Sequence, residues 1–281
     1  MKLDFYKMHG IGNDYIYVDC VKNDVSLTQS QIVFLSDRHK GVGGDGVIFV
    51  RRSAAADGRM EMYNADGSRA TMCGNGIRCV GKLLFDLGYA KKDVIRVETD
   101  SGIKTLSMKL MGGRAVGCSV EMGKASFACA DIPVTLDDAE CVDKRISIAG
   151  GEYAVTCVSM GNPHCVVQVD DVDDFDVDKV GRLFESDPLF PDRVNAEFIR
   201  IEQRNAVNMR VYERGSGETM ACGTGACAAV AAACRMGLCD RDVPVRVKLR
   251  GGELFVVFRN DDTVSMTGEA TLVFKGEIEL Q

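Results

Sequence analysis

Residues 73 and 222 each open the pattern Cys-Gly-x-Gly, and the 149 positions between them recur along the whole chain. Moving the sequence by that offset lays Gly12-Asn13 on Gly161-Asn162, Val18 on Val167, Phe49 on Phe198, Met60 on Met209 and Tyr63 on Tyr212. Gly74, Gly76, Gly88 and Gly102 fall on Gly223, Gly225, Gly237 and Gly251 without a gap. Glycines and cysteines matched at one spacing mean two copies of one fold. A chain of 281 residues is long enough for each copy to bury its own core. The join is expected between Gly123 and Gly151, where Asp131, Pro133, Asp137, Asp138 and Glu140 break any periodicity.

Each Cys-Gly-x-Gly leads into an amphipathic or alanine-rich run. Ile77 to Leu87 is apolar at Ile77, Val80, Leu83, Leu84 and Leu87 and stops at Gly88; Ala226 to Met236 stops at Gly237. Apolar residues three and four apart, with a glycine just past the end, predict a helix. Strands are expected at 15–19, 47–51, 60–63 and 94–99, and again at 165–169, 196–202, 207–212 and 243–249. A further, more exposed helix is expected over Gln29 to Arg38. Strand-rich units on one helix predict an α+β fold with two pseudo-symmetric domains, not alternating βαβ units.

Composition excludes several classes. A net charge of −7 leaves no basic footprint for nucleic acid and argues against an anionic membrane surface. No apolar run reaches the length of a membrane span, and the first residues lack the apolar stretch of a signal peptide, so a cytoplasmic protein is expected. The 12 cysteines contain no Cys-x-x-Cys, and with three histidines no zinc spacing exists; no metal is expected. Cys20, Cys118, Cys165 and Cys234 sit in apolar contexts and read as small core residues. Two familiar motifs fail on context. Gly41 to Gly46 matches a dinucleotide fingerprint but precedes a strand, and Gly76 to Lys82 imitates a phosphate loop inside an expected helix.

Cys73 and Cys222 are different because of where they stand. At a helix N-terminus, unpaired N–H groups and the dipole favour a thiolate, lowering its pKa from about 8.5 toward neutrality, and can also hold an anion. If the repeat brings both helix starts to one ligand, a thiolate and a thiol on opposite sides of a carbon suit racemisation or epimerisation. One sulfur takes the α-proton and the other returns a proton to the opposite face. Two helix N-termini directed at the neighbouring carboxylate would stabilise the developing negative charge. The plainer alternative is that both cysteines are buried cap residues and the repeat is purely structural. Within the shift Asn64 falls on Glu213 and Ala65 on Arg214. That divergence fits an asymmetric ligand, with an amino group for Glu213 and a carboxylate for Arg214; an exposed ion pair fits it as well. His164 replaces Tyr15 and could tune a thiol or serve as a satisfied structural residue.

Seven stretches then carry a family resemblance: Met8 to Asp14, Tyr63 to Ser68, Met72 to Arg78, Ser159 to His164, Arg193 to Ala196, Tyr212 to Gly215 and Ala221 to Gly225. In this order they resemble the diaminopimelate epimerases, members of the PLP-independent amino-acid racemases and epimerases. The resemblance implies interconversion of L,L- and meso-diaminopimelate without a cofactor, in lysine and peptidoglycan biosynthesis. It implies Cys73 and Cys222 as the two bases, with His164 and Glu213 modulating them. It implies substrate contacts from Asn13, Asn64, Gly74, Asn75, Asn162, Asn195, Glu213, Arg214, Gly223 and Thr224. It further implies that each domain is a mixed sheet curled as a barrel around a central helix. The C-terminal strand is expected to cross back, giving domains 1–121 with 268–281, and 122–267. The partner expected is a second copy of the chain in a homodimer. Two departures stand out: Gly46 replaces a substrate-contacting glutamine of some members, and Phe274 replaces a tyrosine linked to dimerisation.

Two other readings remain in play. Proline and hydroxyproline racemases resemble the chain around both cysteines but typically carry histidine at the position of Asn75. A redox-responsive binding protein would use the same two thiols to form a disulfide.

Overall fold

The computed structural model describes residues 1–280 of the chain. The expected C-terminal segment 268–281 therefore includes one residue, Gln281, outside the described residues. Two compact units divide the chain: Met1–Val120 with Thr267–Gln281, and Glu121–Met266.

The first unit contains β1 (Lys2–Gly10), β2 (Asn13–Cys20), α1 (Gln29–Ser36), β3 (Gly46–Arg51), β4 (Gly58–Asn64), β5 (Arg69–Ala70), α2 (Gly74–Asp86), β6 (Val94–Thr99) and β7 (Gly102–Met111). β8 (Arg114–Lys124) carries the chain out of it. β1 and β2 pair antiparallel, β2 and β3 parallel, β3 and β4 antiparallel, β4 and β6 parallel, and β6 and β7 antiparallel. The C-terminal strand Thr271–Glu279 pairs antiparallel with β1.

The second unit repeats this order. β9 (Lys144–Ile148), β10 (Gly151–Ser159), β11 (Pro163–Gln168), α3 (Val177–Glu185), β12 (Asn195–Gln203), β13 (Ala206–Glu213), β14 (Gly217–Thr219), α4 (Gly223–Arg235), β15 (Val245–Leu249) and β16 (Gly252–Phe258) follow; β17 (Thr263–Glu269) then carries the chain back to the first unit, where β18 (Thr271–Glu279) lies. β11 and β12 pair parallel, β12 and β13 antiparallel, and β13 and β15 parallel, matching the pairings one copy earlier. The offset of the sequence is thus the offset of the topology. α2 and α4 have the same length and the same alignment on their cysteines. The mixed sheet of an α+β fold is what the sequence led us to expect.

Each unit is built on its long helix. α4 reads Gly-Thr-Gly-Ala-Cys-Ala-Ala-Val-Ala-Ala-Ala-Cys-Arg, and nearly every residue is buried. A helix apolar on all sides is a core helix, and alanine lets strands approach from every direction. It packs against β10, β11, β12, β13, β15 and β16. α2 packs likewise against β1, β2, β4, β6 and β7. At Gly81 of α2 an added Cβ would lie 2.6 Å from Leu106 Cδ2, so glycine here permits close approach to β7. The core of the second unit includes Phe184, Phe198, Val167 and Ile148; that of the first includes Ile16, Val47, Phe49 and Leu35.

The structure shifts several expected boundaries. Both long helices begin three residues earlier than the apolar periodicity suggested, at Gly74 and Gly223, because the cysteine side chain supplies the N-cap and glycines fill the first turn. Gly88 and Gly237 follow their C-caps at φ +81 and +75, the left-handed stop the sequence called for. α1 ends at Ser36, two residues short of Arg38, since Asp37 turns extended. β1, β7, α3 and the strands of the join were not anticipated. No helix among the described residues is long and apolar enough to cross a membrane.

Candidate active site

In the first unit Cys73 is the N-cap of α2, with extended backbone and its Sγ accepting the Gly76 N–H at 3.4 Å. The thiol lies 3.3 Å from Asn13 Oδ1. Asn13 opens β2, and its amide is turned toward the sulfur because Nδ2 donates to Asp45 Oδ2 at 2.7 Å. Asp45 is fixed in turn: its Oδ2 accepts the Asp14 N–H at 3.0 Å and its Oδ1 accepts from Arg38 Nη2 at 2.9 Å. Tyr15, the counterpart of His164 in the repeat, is buried beside this group; burial, then the Cys73 sulfur and the Asp45 carboxylate, push its phenol well above the usual range. Gly74 and Asn75 form the first turn of α2, both buried. Asn64 ends β4 opposite Gly46, and its Nδ2 donates to Ser68 Oγ at 3.0 Å.

Gly46 accepts no side chain in this backbone. At φ +154 an added Cβ would lie 2.0 Å from the Tyr63 carbonyl oxygen. A glutamine side chain at this position is therefore excluded by the path of β3. Among the nearby side chains, it is Asp45, one residue earlier, that reaches Asn13.

In the second unit Cys222 caps α4 in the same way, its Sγ accepting the Gly225 N–H at 3.3 Å. Thr224 Oγ1 lies 3.5 Å from that sulfur, and Asn162 Nδ2 donates to the same hydroxyl at 3.4 Å. Asn162 Oδ1 lies 3.0 Å from His164 Nε2, and His164 Nδ1 lies 2.7 Å from Glu197 Oε1. His164 thus reaches Cys222 through Asn162 and Thr224, not by a direct hydrogen bond. Glu213 ends β13 and accepts the Thr219 hydroxyl. Asn195 Nδ2 donates to the Pro163 carbonyl at 2.8 Å and its Oδ1 accepts the Arg214 N–H at 3.0 Å, so this residue sets the backbone beneath Arg214. The Arg214 guanidinium donates to the Asp192 carbonyl at 3.0 Å.

One electrostatic expectation is reversed. The N-terminus of α4 was expected to draw the Cys222 thiol down toward neutrality. Instead burial, followed by the Glu213 carboxylate, holds it well above its ordinary value, outweighing the Thr224 and Gly225 hydrogen bonds. Two hydrogen bonds and a partial charge do not offset removal from water beside two carboxyl groups. Cys222 rests as the thiol.

Three residues escaped the sequence reading. Asp45 was read only as part of a failed glycine motif. Arg78 is fully buried, and its guanidinium donates to the Gly74 and Glu269 carbonyls at 3.0 and 3.1 Å, tying the start of α2 to β17. Glu197 is a fully buried carboxyl on β12. Its signal was present, since the repeat lays it on Ile48, a core position. No group of three or more His, Cys, Asp or Glu that could hold a metal occurs among the described residues.

Solved structures place this architecture in a class. A phenazine biosynthesis protein of the PhzF family from Bacillus anthracis aligns over 100% of both chains at TM-score 0.71 and 17% identity. A hydroxyproline epimerase from Agrobacterium vitis aligns over 99% of this chain and 93% of its own at TM-score 0.69 and 15% identity. At such identity these neighbours define the fold, that of the PhzF and proline-racemase-like proteins.

Sequence narrows it further. The family described as diaminopimelate epimerase matches residues 5–128 and 156–273. The diaminopimelate epimerase of Leptospira biflexa is 46% identical over 100% of both chains, and that of Acetivibrio thermocellus 48% identical over 98% of both. The chain belongs to the diaminopimelate epimerase family.

Proposed function

We propose that this protein epimerises diaminopimelate at one α-carbon, interconverting the L,L and meso forms, with Cys73 and Cys222 as the two proton-transfer groups. The observation that carries the reading is the matched pair of helix-capping thiols, each receiving an N–H from the third residue of its helix and each flanked by an asparagine-centred hydrogen-bond chain. Cys222, held as a thiol, is suited to give a proton to the carbanion. Cys73 is assigned the complementary removal in the L,L to meso direction. The N–H groups at the two helix starts are assigned to the reacting carboxylate, since stabilising charge that develops there is usually the largest single catalytic contribution. Asn13, Asn64, Asn75, Asn162, Asn195, Glu213 and Arg214, with the backbone of Gly74, Gly223 and Thr224, are assigned to holding substrate. The two units support their thiols differently, Tyr15 and Asp45 in one and His164 and Glu197 in the other, which fits a ligand whose two ends differ.

A cytoplasmic homodimer completes the reading. Leu272, Val273 and Phe274 on β18 expose apolar surface, and Phe274→Glu should lower the mass measured by sedimentation if that strand forms the contact.

The test is α-proton exchange in D₂O, with diaminopimelate and proline offered separately under reducing conditions. Deuterium should enter diaminopimelate and epimer should form. Exchange with proline alone would assign the chain to the racemase activity instead. Ligand binding that survives Cys73→Ser with the loss of redox sensitivity alone would assign it to a redox-responsive binding protein.

A further inference from the structure

The side chains of His164 and Glu197 are closed to solvent on every side, yet neither was required by the fold: at the equivalent places the first unit uses Tyr15 and Ile48. The two units accommodate these residues alike. An added Cβ at Gly76 would lie 2.7 Å from Ile48 Cδ1, and one at Gly225 would lie 2.7 Å from Glu197 Oε1. A carboxyl group has been placed where its copy holds a methyl group, beneath the start of the helix that Cys222 caps. A buried ionisable pair is costly unless its hydrogen bonds are complete.

The hydrogen-bond geometry restricts where the protons of this group can sit once the ring is neutral. Asn162 donates through Nδ2 to Thr224, so its Oδ1 is the atom facing His164 Nε2, and that nitrogen must carry a hydrogen. A neutral imidazole with a hydrogen on Nε2 has only a lone pair at Nδ1. Glu197 Oε1, at 2.7 Å, must then be the donor. The other oxygen, Oε2, is buried with no hydrogen-bond partner among the described residues, a situation a neutral carbonyl tolerates far better than a carboxylate.

We propose that Glu197 is a positioning residue that carries a proton and donates it to His164 Nδ1, fixing the ring as the Nε2–H tautomer and so pointing a single-direction chain of donors through Asn162 and Thr224 at the Cys222 sulfur. The donors run Glu197 O–H to His164 Nδ1, His164 Nε2–H to Asn162 Oδ1, Asn162 Nδ2–H to Thr224 Oγ1, and Thr224 O–H to Cys222 Sγ. Aligned donors polarise one another in a low-dielectric interior. The Gly225 N–H adds a second donor at the sulfur. Such a chain stabilises the thiolate left when Cys222 gives up its proton, and leaves the resting thiol hydrogen directed away from Thr224. Burial raises the affinity of Glu197 for its proton, opposed by His164; Glu213 is the other carboxylate whose charge favours that proton, and Cys222 and Cys165 are the thiols near it. The reversed chain requires an ionised Glu197, a hydrogen on Nδ1 and a Thr224 that accepts from the Cys222 S–H.

The role of the chain at Cys222 rests on the proposed epimerase reading, but the tautomer does not. In ¹⁵N-histidine-labelled protein at neutral pH, with His164 assigned by its loss in His164→Asn, long-range ¹H–¹⁵N spectra should show a protonated Nε2 and an unprotonated Nδ1. An imidazolium, or a hydrogen on Nδ1 alone, would overturn the proposal. In kinetics, Glu197→Leu should lower kcat by roughly tenfold or more with little change in KM, as expected when an orienting partner is lost. Glu197→Gln, whose amide N–H can donate to Nδ1, should recover most of that loss and keep the wild-type tautomer. If Gln is as impaired as Leu while both retain the wild-type unfolding midpoint, a carboxylate charge is needed and the proposal fails. A wild-type protein with no epimerase activity would remove the reading of the preceding subsection while leaving the tautomer result to stand or fall by itself.

Discussion

The Asn13 amide is locked by the Asp45 carboxylate, Nδ2 to Oδ2 at 2.7 Å, and its free end of rotation is thereby set toward Cys73. The same role at Asn162 falls to the His164 ring. Two equivalent asparagines, one beside each capping thiol, are therefore oriented by different chemistry. An asparagine left to flip would present its N–H₂ to the sulfur about as readily as its oxygen.

Asp45→Ala should accordingly raise KM for diaminopimelate by about tenfold, the loss of one oriented, charge-assisted hydrogen bond. Asp45→Asn keeps an acceptor oxygen for Asn13 and should cost less. Steady-state kinetics on the two variants, with unfolding midpoints as a control for the Arg38 pairing, check this. Equal impairment of both would mean that the negative charge matters and the orientation does not.

Cys73 and Cys222 each cap a helix, and in the proposed reaction each also handles a proton; serine separates the two roles. A serine is a better N-cap than a cysteine, whereas alanine at an N-cap costs about 1 kcal/mol. Cys73→Ser and Cys222→Ser should keep or slightly raise the unfolding free energy, and the alanine variants should lower it by about 1 kcal/mol each. All four should lose epimerisation by about 10²–10⁴-fold, the scale of one acid–base group. Urea unfolding and initial rates read the two effects independently. Serine variants of wild-type rate would reduce both cysteines to caps.

Much of the fold was legible in the chain, for physical reasons that can be named. α2 and α4 announce themselves by apolar spacing and a glycine stop, and β6 by its β-branched alternation over Val94–Thr99. β7 did not, because an exposed strand such as Gly102–Met111 carries lysine, threonine and serine and has little apolar alternation to show. α3 was hidden in the acidic run from Asp170 to Asp178, although Val177, Gly181 and Phe184 are its buried face. At the site, charge divergence between copies exposed Glu213, and the same comparison at Ile48 and Glu197 would have exposed the buried carboxyl. What no spacing conveyed was burial: the N-terminus of α4 suggested an acidic thiol, and only the packed structure shows Cys222 desolvated beside two carboxyl groups.

Gly46 should be among the least replaceable residues of the first unit. Its Cβ would stand 2.0 Å from the Tyr63 carbonyl oxygen at φ +154, where β3 meets β4 in the register Gly46 to Asn64. Gly46→Ala should destabilise by about 2–4 kcal/mol, since backbone strain and a backbone clash combine. Gly112 has positive φ as well, +58, but nothing within 4 Å, and Gly112→Ala should cost only about 1 kcal/mol. Chemical denaturation of the two variants gives the comparison. Comparable losses would show that φ alone decides the cost at both sites.

Alkaline pH should erode stability through the buried thiols. Burial raises Cys79 to about 11 and Cys118 to about 12, and both side chains are closed to solvent. In the unfolded chain a thiol ionises near its ordinary value, about 8.5. Above that pH the unfolded state binds fewer protons than the folded one, so the slope of unfolding free energy with pH is negative. The stabilisation is complete below about pH 8.5 and is lost progressively as pH rises toward the folded values near 11 and 12. By about pH 10 each such thiol should have cost on the order of 1–2 kcal/mol. Urea unfolding from pH 7.5 to 10 should show this decline, and Cys118→Ala should flatten it while lowering stability at neutral pH by the cavity it leaves. An unchanged slope in that variant would assign the alkaline loss to other groups, the buried phenols of Tyr15 and Tyr17 first among them.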